Sequence, residues 1–308
     1  YGQIVPICFK ANTTITMGAL KKSLFTDSVK EYVGNIKVAN LGVQRELYES
    51  KTNYFLLDKK DLILPIRKNK ISHKGTFGHL AVIIGDKKGA GILASKAAFS
   101  FGCGLVSIIS KKNINKIPNE IMQSTNLPLN TSAICIGMGL GKKYSKKILK
   151  NHLPKVIDAD LFYDKNILSI LLNQDNIILT PHPKEFCSLL KISKIADINI
   201  DELQNNRFKY IKMFNKKYSN IVLLLKGGNV LIAYKDNIYI NTFGTSVLSK
   251  GGSGDILTGL IGSLLAQGYN LLDATISGSL AHTIGALNYK GNNYSFTPKQ
   301  FIKQIKIL

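Results

Sequence analysis

The residues best equipped for chemistry are Lys250-Gly251-Gly252-Ser253-Gly254-Asp255, followed by Ile256, Leu257, Leu260, Ile261, Leu264 and Leu265 at helical spacing. A glycine run that opens a helix leaves backbone N–H groups free to face an anion, and the helix dipole adds to the attraction. Asp255 then sits in the first turn, beside whatever the glycines hold. A carboxylate there can accept the proton of a hydroxyl that attacks a phosphoryl group. The same string also reads as a glycine turn with Asp255 as a capping residue.

Other runs add to it. Leu225-Lys226-Gly227-Gly228-Asn229 puts a lysine and two glycines after an apolar strand, where open α/β sheets bind ligands; a plain turn is the alternative. Ile136-Gly137-Met138-Gly139-Leu140-Gly141 lets a ligand approach the backbone closely, but lacks the G-x-G-x-x-G spacing of a dinucleotide fingerprint. Asp158 and Asp160, after Val156-Ile157, are placed either to approach a magnesium-bound phosphate or to cap the next helix. In Thr180-Pro181-His182-Pro183-Lys184-Glu185, two prolines stiffen the loop that aims His182 and Glu185. No G-x-x-x-x-G-K-[ST] string occurs, which excludes a Walker-type phosphate loop.

The elements that must carry these residues are short apolar strands at 80–84, 106–109, 133–136, 156–157, 177–179 and 221–225, alternating with helices such as 90–101. Continuous apolar runs of this length belong to strands buried on both faces, and the alternation predicts a mainly parallel sheet. Residues 231–234 and 238–241 flank Lys235-Asp236-Asn237 as a hairpin. Five motifs are thus expected after five successive strands, on one edge. The first fifty residues read as a strand at 11–18, a short helix at 27–33 and a strand at 36–43, too little for a core of their own. The polar stretch Glu49 to Asn53 marks the expected boundary.

The net charge of +22 invites a nucleic-acid reading, but only Arg45, Arg67 and Arg207 among the 41 basic residues are arginine. Base and phosphate readers lean on the guanidinium fork, so nucleic-acid binding is not expected. The densest basic stretch, Lys142 to Lys155, reads as one solvated helix face. No apolar run approaches the ~20 residues of a membrane span, and the first four residues show no basic region leading into an apolar one. Cys8, Cys103, Cys135 and Cys187 are scattered, which fits reduced, buried thiols in a cytoplasmic protein without a protein-held metal.

Together, His73-Lys74-Gly75-Thr76-Phe77-Gly78, Gly89-Ala90, the Gly137 to Gly141 run, Asp158-Ala159-Asp160, Thr180-Pro181-His182, Lys226-Gly227 and Gly252-Ser253-Gly254-Asp255 resemble the NAD(P)H-hydrate dehydratase family, in order over residues 55–308. The resemblance implies a ribokinase-like α/β fold, with the central sheet flanked by helices. It implies that ADP or ATP, with Mg2+, phosphorylates the ring hydroxyl of the S epimer of NADHX or NADPHX, and that loss of phosphate restores NADH or NADPH. Carried over, Asp255 would be the base and touch the hydrate, with Ala90, Gly139, Gly141 and His182 also binding it. Lys226, Gly227, Gly228, Asn229, Val230, Gly252, Ser253 and Gly254 would bind the nucleotide. Ser253 and Val230 stand where the family usually or often has threonine. Residues 1–50 resemble the end of an NAD(P)H-hydrate epimerase domain without its catalytic aspartate, and the family implies a homotetramer. A ribokinase-like kinase of a small alcohol, such as a thiazole or hydroxymethylpyrimidine precursor, would share the glycine-lined anion site. The His73 and Thr180 segments favour the dehydratase over it.

Overall fold

The computed structural model describes residues 8–141 and 144–308. Among them lie strands β1 (Thr13–Met17), β2 (Asn35–Ala39), β3 (Tyr54–Leu56), β4 (His79–Ile83), β5 (Leu105–Ile109), β6 (Met122–Ser124), β7 (Ala133–Ile136), β8 (Lys155–Ile157), β9 (Ile177–Leu179), β10 (Val222–Leu225), β11 (Val230–Tyr234) and β12 (Asn237–Asn241). The helices are α1 (Lys88–Ser100), α2 (Lys146–Lys150), α3 (Ile167–Asn173), α4 (Pro183–Ile192), α5 (Ile200–Asn205), α6 (Arg207–Lys217), α7 (Ser253–Ala266), α8 (Leu271–Leu287) and α9 (Pro298–Ile305).

Ten of the described strands form one sheet in the order β3-β12-β11-β10-β9-β8-β7-β4-β5-β6. Every pair is parallel except β10–β11 and β11–β12, the expected hairpin and its neighbour. Strand residues alternate between two cores. Leu80, Val82, Ala133, Cys135, Val156, Ile178 and Leu224 face α1, α7, α8 and α9. Ala81, Ile83, Ile134, Ile136, Ile157, Leu179 and Leu225 face α2 to α6. Burial on both sides explains the unbroken apolar runs, each buried Leu or Ile contributing on the order of 1.5–3 kcal/mol. Helix α7 is apolar nearly all round because it lies inside the molecule, buried from Ile256 to Ala266. It approaches α1 so closely that a side chain at Gly259 would collide with the Ala94 carbonyl.

Several expectations need correction. The basic stretch 142–155 is not one solvated helix. Lys142 and Lys143 lie outside the described residues, only Lys146–Lys150 is helical, and Lys155 is buried in β8. Its ammonium donates to the Asn151 carbonyl (2.5 Å), the Leu153 carbonyl (2.9 Å) and Gln174 Oε1 (2.6 Å). Burial pushes its pKa down to about 8. Of the cysteines, Cys103 and Cys135 are buried, but Cys187 is half-buried and Cys8 exposed. In the first fifty residues β1 and β2 pair in parallel as a separate two-stranded sheet, and the expected helix at 27–33 shrinks to a 3-10 turn at Asp27–Val29. The motif His73 to Gly78 forms a 3-10 turn before β4, at the opposite end of that strand from the other motifs, where Gly78 packs against the Ala266 carbonyl.

Candidate active site

Four motifs follow β7, β8, β9 and β10, which are neighbours in the sheet, so their loops meet on one rim. The fifth does not follow a strand directly. Eleven-residue loop 242–252 leaves β12 and delivers Gly252 to the start of α7. Gly252 is the N-cap, at φ 92°, a left-handed conformation that disfavours any side chain. It offers no capping side chain, so first-turn N–H groups of α7 are placed to meet an external acceptor.

Asp255 stands in that turn, half-buried. Its carboxyl is pushed up to about 6 by burial first and by the negative charge of Asp158 second, while Lys226 works in the opposite direction. A carboxyl held there could exchange a proton with a hydroxyl near neutrality.

Behind it, Asp158 is buried at the end of β8, and its side chain caps no helix. Oδ1 lies 2.7 Å from Lys226 Nζ, and Oδ2 accepts the Thr258 hydroxyl of α7 at 2.8 Å. The capping alternative for Asp158 therefore gives way: it anchors the lysine of one loop to the helix of another. Asp160 does not cap either; its Oδ2 accepts the Gly141 N–H at 2.8 Å. Lys226 in turn donates its backbone N–H to the Pro181 carbonyl (2.9 Å), joining the β9 and β10 loops. Its ammonium is 3.4 Å from where a Cβ on Gly254 would be.

His182 Nδ1 accepts N–H groups of Lys184 (3.1 Å) and Glu185 (3.3 Å), while Glu185 accepts the His182 N–H at 2.8 Å. Nε2 therefore carries the hydrogen and faces Glu185 Oε1 at 3.1 Å. Both ring nitrogens thus serve the start of α4, leaving the ring itself half-exposed on the rim. Gly139 and Ala90 are neighbours: a Cβ on Gly139 would lie 3.4 Å from that of Ala90, and the Gly139 carbonyl accepts the Lys87 N–H (2.9 Å). At Gly141, φ 68° and the close Asp86 carboxylate both exclude a side chain.

Of the residues expected to bind nucleotide, Lys226 points toward α7 and Gly227 and Gly228 are exposed, whereas Asn229 is buried and Val230 begins β11, paired with Asn241. Ser253 is held by an unforeseen residue, His282 of α8. Its Nε2–H donates to the Ser253 carbonyl at 2.9 Å and lies 3.1 Å from the Ser253 hydroxyl. Burial holds the imidazole down to about 4, hence neutral near pH 7. Sequence reading missed His282, Thr258 and Asp86. Asp86 carried a signal, since it follows β4 on the ligand rim; the other two are polar residues within apolar helices. A cavity of about 930 Å³ lies elsewhere, between residues 18–52 and strands β3 and β12, and none of the candidate site residues lines it. The rim is the stronger candidate because the titratable groups converge there.

A family model described as NAD(P)H-hydrate dehydratase matches residues 80–307. A bifunctional NAD(P)H-hydrate repair enzyme of Helicobacter pylori is 45% identical over 100% of this chain and 66% of its own length. The ADP-dependent (S)-NAD(P)H-hydrate dehydratase of Neisseria meningitidis is 35% identical over 70% of this chain and 78% of its own. Among solved structures, the ADP/ATP-dependent NAD(P)H-hydrate dehydratase of Bacillus subtilis, co-crystallized with ATP/Mg2+, superposes with a TM-score of 0.66. It is 26% identical, covering 79% of this chain and 92% of that one. The chain spans about two thirds or less of the bifunctional relatives' length (66%, 61% and 56%).

Proposed function

Because the chain belongs to the NAD(P)H-hydrate dehydratase family, we propose that it uses ADP or ATP to dehydrate the S epimer of NADHX or NADPHX at the rim of β7 to β10. The observation that carries this reading is Asp255 in the first turn of α7, with the Lys226 ammonium beside Gly254 and Asp158 behind both. Asp255 takes the proton of the ring hydroxyl as its oxygen bonds to the terminal phosphorus, and the bond from that phosphorus to the nucleotide's bridging oxygen breaks. The first-turn N–H groups and Lys226 receive the charge that develops on the transferred group. Phosphate then leaves with its bonding pair, a ring proton follows, and the ring double bond is restored.

In this reading Ala90, Gly139, Gly141 and His182 hold the hydrate, and Lys226 to Val230 with Gly252 to Gly254 hold the nucleotide. For Asn229 and Val230 the contact is through the surface of the loop they anchor. Magnesium would arrive on the nucleotide's phosphates, where it neutralises charge. Asp158 and Asp255 on that rim are hard oxygen donors of the kind such an ion takes, directly or through water.

Residues 1–50 are assigned to the end of an epimerase domain. Support comes from the bifunctional relatives and from β1–β2, a parallel pair with Ile15 and Met17 exposed, where parallel sheets are ordinarily covered. A cytoplasmic homotetramer completes the proposal; among the described residues no helix is long and apolar enough to cross a membrane.

The test is incubation with NADHX, Mg2+ and either ADP or ATP, following reduced nicotinamide by absorbance together with free phosphate. Both products are expected. A stable phosphate ester from a small alcohol, with no reduced nicotinamide, would establish the kinase reading instead.

A further inference from the structure

The loop 226–229 is held from outside the residues that the family model matches. Asp27 Oδ2 accepts the Gly228 N–H at 3.0 Å, and Oδ1 accepts the Asn229 N–H at 2.8 Å. Lys30 Nζ donates to the Gly228 carbonyl (2.6 Å), Asn229 Oδ1 (2.9 Å) and the Thr242 carbonyl (2.8 Å). The Asn229 amide donates to the Phe25 carbonyl at 2.9 Å. From the other side Arg207, at the start of α6, reaches the carbonyls of Asn229 (2.9 Å), Lys226 (3.0 Å) and Leu225 (3.2 Å) and pairs with Asp27.

Side chains of Arg207 and Asp27 are only 2% and 15% exposed, so this is a built contact and not a surface encounter. Two glycines give the loop no side chains with which to hold itself. Every polar group of Asn229 and both of Gly228 are instead taken by Phe25, Asp27, Lys30 and Arg207.

We propose that Asp27 and Lys30 are positioning residues for nucleotide binding: through Gly228 and Asn229, the segment preceding the dehydratase half sets the shape of its nucleotide loop. The inference rests on the reading of 226–230 as that loop. Lys30 reaches the nucleotide loop and the start of the 242–252 loop together, so one ammonium ties two of the segments that border the first turn of α7. A flexible loop pays its ordering cost when ligand binds, and a loop ordered in advance does not. The effect therefore belongs in nucleotide affinity and not in the chemical step.

The experiment compares Lys30→Met, Lys30→Arg and Asp27→Asn with Lys226→Ala, measuring ADP and ATP affinity by calorimetry, KM and kcat for nucleotide and hydrate, and the thermal midpoint. Lys30→Met should weaken nucleotide binding about tenfold, the scale of one charged hydrogen-bond set, with kcat and the hydrate KM within twofold. Lys30→Arg should recover part of the affinity. Asp27→Asn strips Arg207 of its counter-ion and should lower the thermal midpoint as well. If Lys226→Ala loses nucleotide while Lys30→Met and Asp27→Asn bind like wild type, the positioning role is overturned and the loop's nucleotide role stands. If Lys226→Ala also binds like wild type, the loop is not the nucleotide site and both readings fall.

Discussion

Lys226 Nζ lies 2.7 Å from Asp158 Oδ1, and Asp158 Oδ2 accepts the Thr258 hydroxyl one turn along α7 from Asp255. One carboxylate thus ties the lysine of the β10 loop to the helix that carries Asp255. Asp158 and Lys226 also act on Asp255 with opposite sign, the first raising its pKa and the second lowering it.

Asp158→Asn should therefore shift the acid limb of the pH–activity profile below about 6. The repulsion is gone and the lysine is freer to favour the charged carboxyl. Loss of the anchor should also cost roughly tenfold to a hundredfold in kcat/KM, since Lys226 is no longer held in place. A pH–rate profile of the variant settles both; an acid limb left at its wild-type position would contradict the assignment of that limb to Asp255.

Asp255→Asn should lower kcat by roughly 10² to 10⁴, the usual contribution of a general base, with nucleotide affinity little changed. Stability should move the other way. The folded carboxyl holds its proton up to about 6 against an ordinary 3.8, so the native state binds more protons in that interval and stability falls as pH rises through it. Above about 6 the full penalty, on the order of 2–3 kcal/mol, is present, and asparagine removes it. Urea unfolding at pH 7.5 is expected to show the variant more stable than wild type, with the gap narrowing toward pH 4.

The strands and their rim were legible because burial on both faces leaves a direct trace, as in Leu80 to Ile83 or Val222 to Leu225. Glycines and acids just beyond those strands then had only one place to go. What the pattern does not encode is pairing across distance. Asp158 finds Lys226 and Thr258 far along the chain, and that choice, more than its position after β8, decides that it neither caps a helix nor stands free. His73 to Gly78 illustrates the opposite case, a motif specific to the family that packs beneath the far end of the sheet. Lys155 was misread because a lysine among lysines suggests solvent, whereas three oxygens in the 151–174 region enclose its ammonium. Asp27 and Lys30 carried no motif at all; their role appears only where they meet Gly228 and Asn229.

Gly252→Ala and Gly254→Ala, two residues apart, should separate stability from function. Position 252 has φ 92°, so alanine there is strained and should cost about 1–2 kcal/mol, although the nearest obstacle is the flexible end of Leu93 at 2.8 Å. Position 254 is helical, where alanine is favoured by roughly 0.5–1 kcal/mol, but its new methyl would sit 3.4 Å from Lys226 Nζ, inside the site. The first variant should melt earlier; the second should melt no earlier than wild type and yet show a raised nucleotide KM. Thermal midpoints and steady-state kinetics on the pair check this, and equal behaviour of the two would count against the site at the start of α7.

His282 should make the protein acid-sensitive in a way that opposes Asp255. Its imidazole is buried neutral, at about 4 against an ordinary 6.5, because protonation would place a charge in the core between Ser253 and the Phe301 ring. A folded pKa below the unfolded one gives stability that is complete above 6.5 and is lost as pH falls toward 4. Over the same interval protonation of Asp255 stabilises the native state, so the two groups partly cancel in wild type. His282→Gln keeps an N–H for the Ser253 carbonyl and cannot be protonated. Chemical denaturation at pH 5 and pH 8 should therefore show the variant losing less stability than wild type on acidification, or gaining some, because only the Asp255 contribution remains. An identical acid slope in the two proteins would mean that His282 does not stay neutral in the fold, and the first turn of α7 would then need another support.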